Sequence, residues 1–428
     1  MPKLTAAGLA FVAAGVSCLG GCGDTGEAGP AGTGGGNAGG DAGSDGGSSA
    51  SGGATGTGGG GSGGSTTGSG GSTAGSGGGT SNPDASSDAG TDVIVSDGGP
   101  TGAPAVRFVG RFDRSDPGNP RFAWSGSGMI ARFSGTSVGI KLGGGQQFTV
   151  LIDGALRPKL IPLAGGALSP IASGLAAGEH LVEIYRRTEA NQGESQFLGF
   201  DFGGGALLAP PPTPARRIEI IGDSITCGYG VEGADMNCHY TPDTQNHYLT
   251  YGAITARNLN ADLITLAWSG KGIVCNYGDD PMSCVDPFPI YYDRTLPDRA
   301  ASQWDFTSWQ PQVVVINLGT NDVSTPVDPT EAQFTGAYRT FLQHVRSKYP
   351  AALILCTVAP LLSGADLTEA RAYIDAAVAA TGDARIKSFP MAQTDPTDGW
   401  GCDFHPSVKT HQKMAATLTA QLKAELGW

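Results

Sequence analysis

Between Val106 and Phe202 the apolar residues alternate with polar ones in short runs, among them Met129-Ile130-Ala131-Arg132-Phe133, Val138-Gly139-Ile140-Lys141-Leu142, Phe148 to Asp153 and His180 to Tyr185. Period-two alternation broken by Gly and Asp-Gly turns predicts half-buried strands in an antiparallel β-sandwich. The pattern then changes. From Arg217 onward the apolar residues come as short, mostly apolar runs: Ile218-Glu219-Ile220-Ile221, Leu263 to Leu266, Val313 to Leu318, Leu353 to Cys356 and Ile386 to Phe389. Between them Phe334, Tyr338, Phe341, Leu342 and Val345 recur at helical spacing, as do Val408, His411, Ala415, Leu418 and Leu422 near the end. Buried strands alternating with amphipathic helices predict an α/β domain, a parallel sheet with helices on both faces. The run Gly203 to Pro214, with three consecutive prolines, excludes helix and central strand and marks the boundary between the two units.

The N-terminal quarter has neither pattern. Residues 23–104 carry 32 of the chain's 70 glycines, eight acids and no Lys or Arg. Such a segment cannot offset its ordering entropy by burial and is expected to be a disordered tether. Of the chain's net charge of −13, the tether accounts for most, and residues 105–428 are only mildly acidic. With no Lys/Arg cluster to neutralise phosphates, nucleic acid is excluded as a partner. Leu4 to Leu19 after Lys3 reads as an export signal, too short for a comfortable membrane span. Its end, Leu19-Gly20-Gly21-Cys22, resembles a bacterial lipoprotein processing site. That makes Cys22 the expected lipidated residue and the protein an exported cell-surface or outer-membrane lipoprotein; cleavage near Gly20 with free secretion is the alternative. The expected organisation is a signal peptide over 1–21, tether over 22–104, β-sandwich over 105–212 and α/β domain over 213–428.

Six cysteines remain, Cys227, Cys238, Cys275, Cys284, Cys356 and Cys402, and an oxidising compartment favours disulfides among them. Pairing neighbours gives Cys227–Cys238 and Cys275–Cys284 as loop staples and leaves Cys356–Cys402. No CxxC or paired-His spacing supports a metal site, and no metal or organic cofactor is expected.

In parallel α/β sheets function gathers at the carboxyl ends of the strands. Gly222-Asp223-Ser224-Ile225-Thr226 follows the first apolar run, Trp268-Ser269-Gly270-Lys271-Gly272 the second, and Gly319-Thr320-Asn321-Asp322 the third. The last run is followed by Trp400-Gly401-Cys402-Asp403-Phe404-His405-Pro406-Ser407, with Ser407 placed to cap the final helix. Each block alone is an ordinary turn. Together they set a nucleophile, small residues that admit a ligand to the backbone, an amide donor and a base along one sheet edge.

This ordered set resembles the SGNH, or GDSL-type, hydrolase superfamily, with Ser224, Gly270, Asn321 and His405 at the block positions and Ile225 where Leu is usual. With the preceding β-sandwich, Gly-Asp-Ser-Ile-Thr-Cys-Gly-Tyr-Gly and Asp-Phe-His-Pro-Ser look most like carbohydrate esterase family 2. The resemblance implies a flavodoxin-like three-layer catalytic domain behind a jelly-roll-like sandwich. It also implies removal of acetyl groups, with 6-O-acetyl on hexopyranosides favoured, from plant cell-wall polysaccharides such as xylan or glucomannan. Ser224 is then the nucleophile and His405 the base, with Ser224, Gly270 and Asn321 forming the oxyanion hole. The superfamily places Asp three residues before the His, where this chain has Cys402. Asp403 is therefore one candidate for a triad acid, and a dyad with a backbone carbonyl orienting His405, as in some family members, is the other. Trp400, by its proximity to His405, is a candidate for stacking on sugar; His239 and His247 are loop histidines that could touch substrate, although a solvated state is the plainer expectation. Asp223 and Asp322 are expected to brace their turns. A monomer acting on acetylated polysaccharide is expected. The alternatives are a lipid esterase or thioesterase of the same fold, which needs an apolar channel, and a non-catalytic polysaccharide-binding surface protein.

Overall fold

The computed structural model describes residues 103, 105–279, 283–324, 328–358 and 360–428. The export signal, Cys22 and the Gly-rich segment lie outside the described residues.

The antiparallel domain is built from β1 (Arg107–Val109), β2 (Arg121–Phe122), β3 (Gly128–Gly143), β4 (Phe148–Ile152), β5 (Ala155–Leu156), β6 (Leu168–Arg186), β7 (Ser195–Asp201) and β8 (Ala206–Leu207). All eight join one ladder in the order β2-β7-β3-β6-β4-β5, with β1 and β8 also pairing with β3. Long β3 and β6 run alongside each other through bulges at Gly135–Gly139. Across that stretch the buried parity of β3 changes from Met129, Ala131 and Phe133 to Val138, Ile140 and Leu142. Bulges bend a strand and re-aim its faces, so one ladder encloses a single apolar core, with Phe122, Phe148 and Phe197 at its centre. β8 falls inside the expected linker, and the prolines follow it.

The second domain is a five-stranded parallel sheet of β9 (Arg216–Gly222), β10 (Ala261–Ala267), β11 (Val313–Asn317), β12 (Leu353–Thr357) and β13 (Ile386–Ser388), ordered β10-β9-β11-β12-β13. That is the doubly wound flavodoxin-like order, whose direction reverses between β9 and β11. The connecting helices are α1 (Ser224–Cys227), α2 (Tyr251–Asn258), α3 (Glu331–Lys348), α4 (Gly364–Ala379) and α5 (Val408–Leu426). Alternate strand residues explain the layers. Ile221, Leu266, Val314, Ile316 and Ile354 pack under the α3 side chains Phe334, Tyr338, Phe341, Leu342 and Val345. Ile218, Ile220, Val315 and Leu355 face Tyr251 of α2 and Met414, Leu418 and Leu422 of α5. A sheet covered on both faces selects the Val/Ile-rich runs seen in the sequence.

Arg111 and His247 are two of the buried groups that tie the domains together. Arg111, in the loop after β1, bonds Glu219 of β9 at 3.3 Å, and Glu219 also accepts from the Tyr292 and Tyr349 hydroxyls at 2.9 Å each. The guanidinium is also packed on the Trp304 and Phe306 rings. Burial pushes the Glu219 carboxyl up and Arg111 pulls it back. Removing one partner would leave an uncompensated buried charge. His247 is the second tie: it is buried rather than solvated, bonding Thr265 Oγ1 at 3.0 Å beneath Gly126 of the antiparallel domain. A Cβ at Gly126 would meet the imidazole at 2.3 Å, so the ring fills space that only glycine leaves.

The cysteines pair differently from neighbour with neighbour. Cys275–Cys284 forms as expected, but Cys238 bonds Cys402 across 164 residues with a Cα–Cα distance of 4.6 Å, and Cys227 and Cys356 are buried thiols. Cys227 closes α1 and turns into the interior toward Glu189; Cys356 lies mid-strand in the core under the helices. Neither can reach the loops where Cys238 and Cys402 meet, and burial raises both thiols above the ordinary range.

Candidate active site

β9 ends at Gly222, and Asp223 caps α1 by accepting from Ile225 N–H at 3.0 Å. This places Ser224 as the first helical residue, 7% exposed, at the point where the strand order reverses. His405 stands before α5, which Ser407 caps by accepting from Thr410 N–H. The two meet: His405 Nε2 lies 2.8 Å from Ser224 Oγ, although they are 181 residues apart.

The other imidazole nitrogen, Nδ1, is 3.0 Å from the main-chain carbonyl oxygen of Asp403. Asp403 (φ 51°) and Phe404 (φ 60°) are consecutive left-handed residues, a tight turn that swings this carbonyl back onto the ring. The Asp403 carboxylate points elsewhere, accepting from Tyr229 Oη at 3.0 Å, Tyr240 N–H at 2.8 Å and His239 Nδ1 at 3.0 Å. Side chain and carbonyl of one residue leave Cα in different directions, so Asp403 reaches His405 through its backbone and the triad-acid expectation is not met by the geometry. The position three before His405 is taken by Cys402, which fastens this loop to Cys238. Burial, the largest influence, lowers the His405 pKa to about 4, against the opposing pull of the Asp403 carbonyl. Tyr229 lies over the imidazole at 4.2 Å between ring centroids and is itself stacked on Tyr240 at 4.3 Å.

Asn321 follows β11 and is almost fully buried. Its amide donates to the Lys271 carbonyl at 2.9 Å and makes a longer contact, 3.4 Å, to Asp223 Oδ2. Gly270 takes φ +79°, where a side chain would be strained, and an added Cβ would meet nothing within 4 Å, so the backbone here is open to a ligand. Asp322 accepts from its own N–H and also braces the neighbouring loop, accepting from the N–H groups of Ile273, Val274 and Cys275. Burial raises Asp322 to about 6 and Asp223 to about 7.

Of the weaker expectations, His239 is exposed but held by Asp403. Trp400 is half-buried, bridged to Pro406, and lines an open hollow with Glu232, Gly233, Asp398 and Lys409. Trp268, Trp304 and Trp309 pack against the core. Phe404, 47% exposed and adjacent to His405, was not singled out from sequence; an apolar residue between a charged one and a His carries no periodic signal. Glu189 was also missed. It is a buried acid of the antiparallel domain whose partners lie 38 to 80 residues away. Among the described residues no group of three or more His, Cys, Asp or Glu could hold a metal ion.

A flavodoxin-like sheet with Ser, Gly, Asn and His gathered at its switch point defines the SGNH class of hydrolase. Residues 220–413 match the model of the GDSL-like lipase/acylhydrolase family, and residues 108–212 match the carbohydrate esterase 2 N-terminal model. The chain is 46% identical to the cellulase/esterase CelE of Acetivibrio thermocellus over 76% of its own length, spanning 40% of that protein. It is 27% identical to an acetylxylan esterase/glucomannan deacetylase of Cellvibrio japonicus, over 76% of this chain and 90% of that one. A family two carbohydrate esterase from Clostridium thermocellum, solved in complex with cellohexaose, superposes with a TM-score of 0.73 at 44% identity, covering 76% of this chain and all of that one. This protein belongs to carbohydrate esterase family 2.

Proposed function

We propose that the protein is a carbohydrate O-acetylesterase that deacetylates plant cell-wall polysaccharides, xylan or glucomannan, by a Ser–His dyad. The observation that carries this is the 2.8 Å contact of His405 Nε2 with Ser224 Oγ, with the second ring nitrogen held by the Asp403 carbonyl. A serine hydroxyl needs a base within hydrogen-bond reach to attack at neutral pH, and an imidazole fixed in one tautomer supplies it. Ser224 Oγ attacks the acetyl carbonyl while His405 Nε2 takes the hydroxyl proton. The oxyanion is held by the Ser224 and Gly270 N–H groups and by the Asn321 amide hydrogen that otherwise makes only the long contact to Asp223. Collapse breaks the bond to the sugar oxygen, which leaves with the proton from His405. His405 then deprotonates water, which attacks the acetyl-enzyme, and acetate departs as Ser224 recovers its proton. The acetylated-polysaccharide substrate rests on the names of the relatives, an acetylxylan esterase/glucomannan deacetylase among them.

Acetate release from acetylated xylan and glucomannan, measured beside hydrolysis of medium-chain esters, tests the assignment. Wild type is expected to favour the polysaccharides and Ser224→Ala to release none. Unchanged release by Ser224→Ala, or preference for the longer acyl chain, would overturn it. We propose in addition that lipid on Cys22 anchors the mature protein, on the strength of Leu19-Gly20-Gly21-Cys22, and that it acts as a monomer. Recovery of Cys22→Ser in the membrane fraction with a lipidated N-terminal peptide would refute the anchor, and a dimer mass in sedimentation would refute the monomer.

A further inference from the structure

We infer that Glu189, carried by the antiparallel domain, is a positioning residue of the esterase site, holding the Ser269–Gly270 backbone in register with the helix that starts at Ser224. Glu189 is 1% exposed. Its two carboxylate oxygens grip one residue of the other domain: Oε2 accepts from Ser269 N–H and Oε1 from Ser269 Oγ, both at 2.7 Å. Ser269 immediately precedes Gly270, so this clamp fixes the peptide that leads into the oxyanion donor. The same carboxylate accepts from Cys227 Sγ at 3.7 Å, at the far end of α1, and from Gln245 Nε2 at 3.2 Å. Gln245 in turn accepts from the Tyr240 hydroxyl at 2.7 Å, and Tyr240 stacks on Tyr229, which covers His405. One acid therefore touches the nucleophile helix and the oxyanion loop, and connects through two residues to the aromatic cover of the base.

The antiparallel domain is shaped to present it. The buried Arg186 guanidinium donates to the carbonyls of Thr188, Glu189 and Gly193 and to Ser195 Oγ, organising the loop between β6 and β7 around itself. A carboxylate is costly to bury, and its four hydrogen bonds from the second domain offset that cost only while the domains are docked. Burial shifts its carboxyl upward and the bonds from Ser269 draw it back. Glu219 gives the contrast: it too is a buried acid at the domain junction, but it bonds Arg111, Tyr292 and Tyr349 and not Ser269 or Gly270. On this basis the antiparallel domain completes the catalytic site rather than standing beside it.

The inference rests on the reading of Gly270 as an oxyanion donor. It is tested with Glu189→Gln, which places an amide donor against the Ser269 donors, alongside Ser269→Ala, the double variant and Glu219→Gln, all full-length, assayed on an acetyl ester with thermal melts. A displaced donor costs on the order of 10- to 100-fold in turnover. Glu189→Gln is therefore expected to lower kcat by about that factor with KM within about threefold. The double variant is expected to be no worse than Glu189→Gln, because both changes break one interaction. Glu219→Gln is expected to lower Tm while leaving kcat near wild type. Wild-type kcat in folded Glu189→Gln, additive losses in the double variant, or equal kcat losses in the two acid variants would each overturn the inference. If Glu189→Gln does not fold, Glu189→Asp, one methylene shorter, is read by the same criteria. Should wild type prove inactive on every ester, the activity proposed above fails by itself. Hydrogen exchange at residues 269–272 then reads the clamp without turnover: faster exchange in the Glu189 variant than in Glu219→Gln supports it, and equal exchange refutes it.

Discussion

Replacing Asp403 with Asn separates the two ways in which an acidic residue near a catalytic His can act. The substitution removes the negative charge but keeps the main-chain carbonyl that His405 Nδ1 contacts at 3.0 Å. Asn also tolerates the left-handed backbone of position 403 (φ 51°), whereas Ala would add about 1 to 2 kcal/mol of strain. What is lost is the charge-assisted part of the bonds from Tyr229, Tyr240 and His239. Hydrogen bonds to a charged group contribute roughly 1.5 to 3 kcal/mol each, but a neutral Asn oxygen keeps part of this, and His239 is 87% exposed, so its share is screened. The expected destabilisation is about 1 to 2 kcal/mol, read as a fall in Tm. Turnover should stay within about tenfold of wild type, because the tautomer of His405 is set by a group the mutation does not touch. Loss of a triad acid costs about 10⁴-fold. Steady-state acetate release at saturating substrate decides between them, and a kcat reduced by three or four decades in a folded Asp403→Asn protein would refute the backbone-carbonyl reading.

The pH dependence of kcat/KM follows from the His405 pKa. Its base form is needed, and burial holds the pKa at about 4, so activity is expected to persist as pH falls through 6.5 and to drop only near 4; an acid limb at 6.5 would contradict the desolvated environment. Asn321→Ala removes one oxyanion donor and is expected to lower kcat by about 10²- to 10³-fold with much less effect on KM, and a variant retaining most of wild-type kcat would remove Asn321 from that role. Cys238→Ser with Cys402→Ser unfastens the His405 loop from the loop after α1. This should lower both Tm and kcat, whereas Cys356→Ser, distant from the site, should leave kcat unchanged; equal kcat in the three proteins would show that the bridge does not position His405.

Much of the fold is legible in local pattern because each element answers to its immediate environment. The α3 positions read as buried from sequence are those that pack on the sheet, and Val313 to Ile316 is apolar throughout because helices cover both faces. Ser224, Gly270, Asn321 and His405 were found for a related reason: each lies just past the end of a strand or just before or at the start of a helix, so its place follows from the element beside it. Alternation in β3 was legible, but not that bulges would carry all eight strands into one ladder.

By itself, then, the sequence determined the two-domain order, the layers of the α/β sheet and the four residues at its switch point, since periodicity and strand ends are properties of neighbours along the chain. Tertiary structure alone decided which part of Asp403 meets His405, because adjacent left-handed residues turn the carbonyl inward and the carboxylate outward. It decided that Cys402 bonds Cys238, since proximity in space and not in sequence selects the partner of a thiol. It decided the fate of His247 and Glu189, whose surroundings come from the other domain. A polar residue in a loop has no period to reveal it; only when two surfaces close over it does burial fix its partners.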